Sequence, residues 1–185
     1  LFNIDSVVDE ETVIFVEGEM DVLACVEAGY SAVVSLPDGA PKQAKEKIDP
    51  EDRRFAVLAS CEAEFGHVKK FIIATDSDDP GQAMAEELSR RLGRERCWLV
   101  NWPSGNDAPC KDANEVLVQD GAAVLCECIE NAQPYPIRSL FDVGAFESEA
   151  LALYRDGPQR ALSTGWACLD EYMRIREGEV SIVTG

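Results

Sequence analysis

Short apolar runs alternate with helix-like stretches along the first two thirds of this chain. Thr12 to Val16, TVIFV, is β-branched and aromatic and predicts a buried strand. It gives way to EGEMD, after which Met20, Leu23, Ala24 and Ala28 fall on one helical face and Gly29 supplies a stop. A second strand is predicted over 32–36 (AVVSL), followed by the turn-rich PDGAPK. Residues 55–65 read as helical, 71–75 (FIIAT) as a third strand, 81–92 as a helix stopped by Gly93, and 97–100 (CWLV) as a fourth strand. The loop NWPSGNDAPC precedes one or two short helices over 113–131. Strands alternating with helices imply βαβ units with right-handed crossovers. The fold class expected is therefore α/β: a mostly parallel sheet of about four strands flanked by helices. From Gln133 the character changes, and QPYPIRSL reads as a linker. One short helix is expected over 146–154, then a helix, a turn at Glu177-Gly178 and a strand over 180–183.

Ligands of open α/β sheets sit at the carboxyl ends of strands, and there this sequence concentrates acid. The third strand stops at Asp76-Ser77-Asp78-Asp79. Side chains at i and i+2 of an extended segment point the same way, so Asp76 and Asp78 face one side. Glu17 ends a strand that a parallel sheet places close by, and Asp21 follows one helical turn later. Several carboxylates in one mouth suit a hard cation, which takes oxygen ligands and offsets their repulsion. Asp21 has a second reading, since an acid in a first helical turn complements the helix dipole. Asp79 before Pro80 reads as a helix N-cap.

Charge narrows the partners. The 185 residues carry 17 Lys+Arg against 35 Asp+Glu, a net charge of −18. That balance opposes a general electrostatic grip on nucleic acid, so any such role must rest on local basic patches, bound metal or parts outside this stretch. The densest basic run is RRLGRER. Arg90 and Arg91 within it lie along a template or nucleotide path, or simply form a solvated helix end. Lys111 in KDANEVL contacts a phosphate or is a solvated charge, while Asn114 and Glu115 read as capping and opening a helix. Trp98 and Trp102 read as core and loop packing. The seven cysteines form no CxxC pair and there is one His, so zinc spacing is absent and reduced thiols are expected. No apolar stretch approaches a membrane span. The start, LFNIDSVVDEE, lacks the basic flank of a signal peptide and reads as cut from a longer chain.

VEGEMD, VVSLPDGAP, IIATDSDDPGQAMAEELSRRLGRERCW and KDANEVL together resemble the Toprim domain of primase-helicases, the phage enzymes and the organellar Twinkle group. The resemblance spans residues 13–136 and resumes over 163–185. It implies that Glu17 is a general base or metal ligand and that Asp76 and Asp78 are a metal-binding pair. It also implies that Asp21 and Asp112 are further acids around the metal. The implied cofactor is Mg²⁺ or Mn²⁺, two ions, serving nucleotidyl transfer. The implied partners of the full-length protein are a single-stranded DNA template, ribonucleotides and further copies of itself, in a hexamer. The implied location is the cytoplasm of a bacterium or phage host, or an organelle.

The resemblance divides the chain into a Toprim domain over 1–132, a linker with a short helix over 133–162, and the start of a P-loop helicase domain over 163–185. Gly185 is then the first glycine of a phosphate-binding loop whose remainder lies beyond. The chain is expected to form no P-loop ATP cradle and so to bind no ATP specifically there, and its tail to be mobile or packed on a second copy, because the strand over 180–183 has no sheet partner here. Two other functions stay open at this point: a Toprim nuclease or topoisomerase, and a non-catalytic Toprim module serving DNA binding or helicase assembly.

Overall fold

The computed structural model describes residues 1–44, 48–49, 52–103, 109–137, 140, 143–156, 162–173, 175, 180 and 182. The expected turn at 177–178, two residues of the expected strand over 180–183, and Gly185 lie outside the described residues. The chain forms two units, Leu1–Arg138 and Ser139–Gly185.

In the first unit the chain runs β1 (Thr12–Val16), α1 (Glu19–Glu27), β2 (Val33–Ser35), α2 (Arg53–Ser60), α3 (Glu62–Phe65) and β3 (Lys70–Ala74). It continues through α4 (Asp79–Leu92), β4 (Cys97–Leu99), α5 (Ala113–Gln119), α6 (Ala122–Glu130) and β5 (Gln133–Pro134). The sheet order is β2-β1-β3-β4-β5. The first four strands are parallel, and β5 pairs antiparallel to β4. Val13, Phe15, Phe71 and Ile73 point to one face, where Phe55 and Leu58 of α2, Phe65 of α3 and Met84 and Leu88 of α4 cover them. Ile14, Val16, Ile72 and Ala74 point to the other, under Val22 and Cys25 of α1, Val116 of α5 and Leu125 and Ile129 of α6. Burial on both faces is why these strands read as continuous apolar runs.

Four local expectations are corrected. Met20 and Leu23 do not face the core; they are exposed, while Ala24 is buried as expected, together with Asp21, Val22 and Cys25. Helix α1 carries apolar side chains on most of its circumference, so periodicity did not choose its buried face; packing on β2 and α5 did. The rotation turns Asp21 inward. The N-cap of α4 is Asp78, not Asp79: its side chain accepts from the Gly81 amide at 2.9 Å, and Pro80 sits in the first turn. The N-cap of α5 is Asp112, not Asn114, with its Oδ1 accepting from the Glu115 amide at 2.7 Å.

The fourth difference is β5. Gln133 and Pro134, the first residues of the stretch read as linker, join the sheet. Proline is tolerated there because β5 is an edge strand. Tyr135 follows; its amide donates to the Cys97 carbonyl at 2.8 Å and its hydroxyl to Glu86 at 2.9 Å.

In the second unit, a 3-10 turn (Val143–Phe146) leads into α7 (Glu147–Asp156). Leu162 pairs with Ile175 through an isolated bridge. The amide and hydroxyl of Thr164 both donate to Asp170 of α8 (Ala167–Asp170), each at 2.7 Å.

Candidate metal centre

Strand order creates the site. The chain leaves β1 toward β2 on one side of the sheet and returns to β3 on the other, so the carboxyl ends of β1 and β3 form the crevice where the order reverses. Val16 pairs with Ala74 in register, so Glu17, the next residue, and Asp76, two residues past Ala74, leave the sheet at the same end. Carboxylate oxygens of Glu17, Asp76 and Asp78 lie within 4.8 Å of one another. Oxygen ligands about 2.1–2.5 Å from a Mg²⁺-, Mn²⁺- or Ca²⁺-sized ion fall within such mutual spacing.

Glu17 and Asp78 are held by backbone amides. An amide hydrogen bond from Ala40, in the PDGAP turn, supports the Glu17 carboxylate. Oε2 of Glu17 is buried and has no hydrogen-bond partner. An orphaned, buried carboxylate oxygen is costly in the absence of a cation, so these residues fit a divalent ion. Asp78 spends Oδ1 on the Gly81 amide as it caps α4. The intervening Ser77 is tied from both sides: its amide donates to the Lys111 carbonyl at 2.9 Å, and its carbonyl accepts from Gln82 Nε2 at 3.0 Å.

Asp21 and Asp112 form the rim. Asp21 accepts from the Gly18 amide at 3.3 Å and from the Asn114 amide at 3.1 Å, joining α1 to the start of α5. Lys111 lies 3.2 Å from Asp76 and 3.5 Å from Asp112. It is thus neither a bare solvated charge nor free of the cluster; it is the cluster's ion-pair partner. The KDANE string divides its labour. Lys111 pairs with acids, Asp112 caps, Ala113 is fully buried in the core, Asn114 holds Asp21, and Glu115 accepts from the Lys111 amide at 3.0 Å.

Burial dominates the electrostatics. It pushes the carboxyl of Glu17 up, and Asp76 adds repulsion. It raises Asp76 too, against the opposing pull of Lys111. It lifts Asp21 to about 6, with the Asn114 amide opposing and Asp112 and Asp76 adding to the rise. An acid whose carboxyl titrates higher in the folded state holds its proton more tightly there. Metal-free stability contributed by Asp21 is therefore greatest below about pH 4 and is lost as pH rises to about 6. The effect is on the order of 2 kcal/mol. Chemical denaturation in EDTA at pH 5 and pH 7 checks it: wild type should lose stability between them, and Asp21→Asn should lose distinctly less.

A cation that binds only the folded state stabilises it by mass action, by about 2.7 kcal/mol at a hundredfold excess over Kd. Millimolar Mg²⁺ or Mn²⁺ should therefore raise the melting temperature by several degrees. In the Asp76→Asn/Asp78→Asn double variant that rise should vanish, while the melting temperature in EDTA exceeds that of wild type. Asparagine is as good an N-cap as aspartate, so α4 keeps its start. An equal metal response in both proteins would remove the metal reading of this cluster.

Arg90 and Arg91 are not brought to the acids. They lie at the far end of α4, roughly 18 Å from Asp78 by helix rise. Arg90 pairs with Glu86 at 2.8 Å, and Arg91 with Glu87 at 3.5 Å. Arg91 also donates to the Asp49 carbonyl at 2.9 Å and covers the Phe55 ring. Arg90 is thus engaged by acids of α4 itself, while Arg91 also packs α4 against Asp49 and Phe55.

Sequence reasoning missed Gly81 and the Ala40 amide. A Cβ on Gly81 would stand 2.1 Å from the Asp76 carbonyl oxygen. The available signal was a glycine in a first helical turn, where alanine is intrinsically better. The Ala40 amide left no side-chain signal at all.

Residues 11–99 match the Toprim domain family. The chain is 44% identical over 191 residues to the Twinkle homolog protein, chloroplastic/mitochondrial, of Arabidopsis thaliana, covering 100% of this chain and 27% of that protein. It is 48% identical over 143 residues to the Primase homolog protein of the same plant, covering 75% of this chain and 42% of that one. The chain thus spans less than half the length of either curated relative. A solved bacteriophage T7 assembly also matches, one in which the lagging-strand DNA polymerase interacts with primase domains of two gp4 subunits bound to an RNA/DNA hybrid and dTTP. The TM-score is 0.53 at 25% identity, over 68% of this chain and 56% of the matched one. Among the described residues no helix is long and apolar enough to cross a membrane. Residues 11–99 thus form a Toprim domain, homologous to the primase domains of primase-helicases.

Proposed function

We propose that this domain is the catalytic core of a DNA primase, making short RNA primers on a single-stranded DNA template as part of a primase-helicase in DNA replication. The observation that carries the reading is the convergence of Glu17, Asp76 and Asp78 around an unpartnered, buried carboxylate oxygen. Glu17, Asp76 and Asp78 would hold Mg²⁺ or Mn²⁺, two ions in all, with Asp21 and Asp112 supporting them from the rim. Such ions activate a primer hydroxyl and stabilise a leaving pyrophosphate.

The chain's own residues divide the remaining work. Glu17, whose carboxyl burial and Asp76 push up, accepts the proton of the attacking 3′-hydroxyl. Asp76 and Asp78, converging with Glu17 at the β3 tip, would fix the position of the ion that offsets the charge of the reacting phosphate. Lys111, half exposed beside Asp76, swings its ammonium to a nucleotide phosphate when the acids are neutralised. The tie of Asp21 to the Asn114 amide keeps α1 and the KDANE segment from separating under the acids' repulsion.

The first unit is the Toprim domain in this reading. Residues up to 162 link it to a P-loop helicase domain that begins over 163–185. The full-length protein assembles as a hexamer; it works in an organelle, as the name of one plant relative suggests, or in a bacterial or phage setting. The test is dinucleotide synthesis by the full-length protein on a single-stranded template, with Mg²⁺ or Mn²⁺ against EDTA. Product that requires template and metal supports the reading; a purified, folded, metal-loaded protein that makes none refutes it.

A further inference from the structure

A cavity of about 470 Å³ opens beside the acids, on the α4 side of the sheet between the tips of β3 and β4. Asp76 belongs to both. Ala85 and the end of β4 form the floor, Trp102 and Tyr135 supply aromatic walls, and Gln82 and Asn101 bring amides to the rim. Both aromatic side chains have their polar atoms already committed. The Trp102 indole N–H donates to the Thr75 carbonyl at 2.8 Å, and the Tyr135 hydroxyl donates to Glu86 at 2.9 Å. Their orientation is therefore set before any ligand arrives, and what they offer a ligand is ring surface. Gln82 donates through Nε2 to Ser77, which leaves its carbonyl as an acceptor. The volume falls within the range of small-molecule sites and is ample for one nucleoside.

We propose that this cavity receives the base and ribose of a nucleotide whose phosphates lie at the Glu17, Asp76 and Asp78 cluster, with the base stacked on Trp102. The inference rests on the nucleotidyl-transfer reading of that cluster and adds where the non-reacting part of the nucleotide sits. A ligand spanning both regions must be anionic at the metal end. At the other end it must be flat, apolar on its faces and hydrogen-bonding at its edges, and a nucleotide has that distribution. Stacking tolerates every base, which suits an enzyme that must accept several nucleotides. Trp102, read from sequence as loop packing, thus has a second use that the cavity reveals.

Calorimetric titration of this chain with ATP, tripolyphosphate and adenosine, in Mn²⁺ and separately in EDTA, tests the assignment. ATP should bind in Mn²⁺ about tenfold more tightly than tripolyphosphate, the scale of one base–aromatic stack. Trp102→Ala should bring ATP down to the affinity of tripolyphosphate while Mn²⁺ binding stays unchanged. Because Trp102 also supports the Thr75 carbonyl, Ala85→Leu serves as a second variant that fills the floor without touching that bond; it should give the same loss. ATP binding no tighter than tripolyphosphate, or an ATP advantage that survives in both variants, overturns the pocket. Adenosine needs no metal: it should bind weakly in EDTA to wild type and not to either variant. If Mn²⁺ fails to bind, the metal reading of the acids falls, and adenosine still decides the cavity.

Discussion

Glu17→Gln in the full-length protein is expected to lower template-directed dinucleotide synthesis by roughly 10³-fold, the scale of losing a general base together with a metal ligand. The substitution is isosteric and leaves β1 intact. What it removes is one charge from a site where Asp76, Asp78 and Asp21 all repel it and where burial already disfavours it. The amide of the glutamine would direct donors toward neighbouring carboxylates, relieving part of that repulsion. Stability in EDTA should therefore hold or rise as activity falls. This opposite movement separates a catalytic loss from simple unfolding. It is checked by measuring primer synthesis and thermal unfolding on the same preparations. Activity within tenfold of wild type would show that Glu17 is not in the reacting centre.

Gly81→Ala is expected to cost about 3 kcal/mol or more, lowering the melting temperature by about 10 °C for a chain of this size. A Cβ at Gly81 would meet the oxygen, carbon and nitrogen of Asp76 at 2.1, 2.7 and 2.8 Å. All three atoms are backbone, so no side chain can swing aside; α4 and the β3 tip must part. Parting them moves Asp76 away from Asp78, whose own carboxylate is anchored to the Gly81 amide. The variant should thus lose the Mg²⁺ or Mn²⁺ stabilisation as well as fold stability. Gly66→Ala is the control, because its Cβ would meet nothing nearer than 3.4 Å and its effect should stay within about 1 kcal/mol. Differential scanning calorimetry with and without metal reads both consequences. Equal melting temperatures for the Gly81 and Gly66 variants would mean that the helix start is not packed as tightly as described.

Local chemistry carried far in this chain. Strands β1 and β3 were legible because both faces of each are covered, which leaves uninterrupted apolar runs closed by charged or turn residues. Helix α4 was legible because it opens with Asp and Pro and closes at Gly93, whose φ of +94° few other residues adopt. The abrupt change from apolar strand to carboxylate at Glu17 and Asp76 marked the site, since such a change has little use in a strand that merely fills a core.

Whatever depended on a partner distant in sequence was decided only by the tertiary structure. Helix α1 is apolar on too much of its surface for periodicity to choose a face, and contact with β2 and α5 turned Asp21 inward and Met20 outward. Asp78 rather than Asp79 caps α4, and Asp112 rather than Asn114 caps α5, because a cap is defined by where the backbone leaves the helix, and neighbouring polar residues are chemically equal candidates. Strand β5 is too short and too polar to announce itself; only the open edge of β4 makes it a strand. The arginines at 90 and 91 carried a charge that any anion could have claimed, and the fold gave it to Glu86 and Glu87. The residue types of the site were thus written in the sequence. Their meeting was not, because parallel pairing of β1 with β3 joins segments separated by a whole βαβ excursion, and the side chains that stabilise that pairing lie on helices from both ends of the domain.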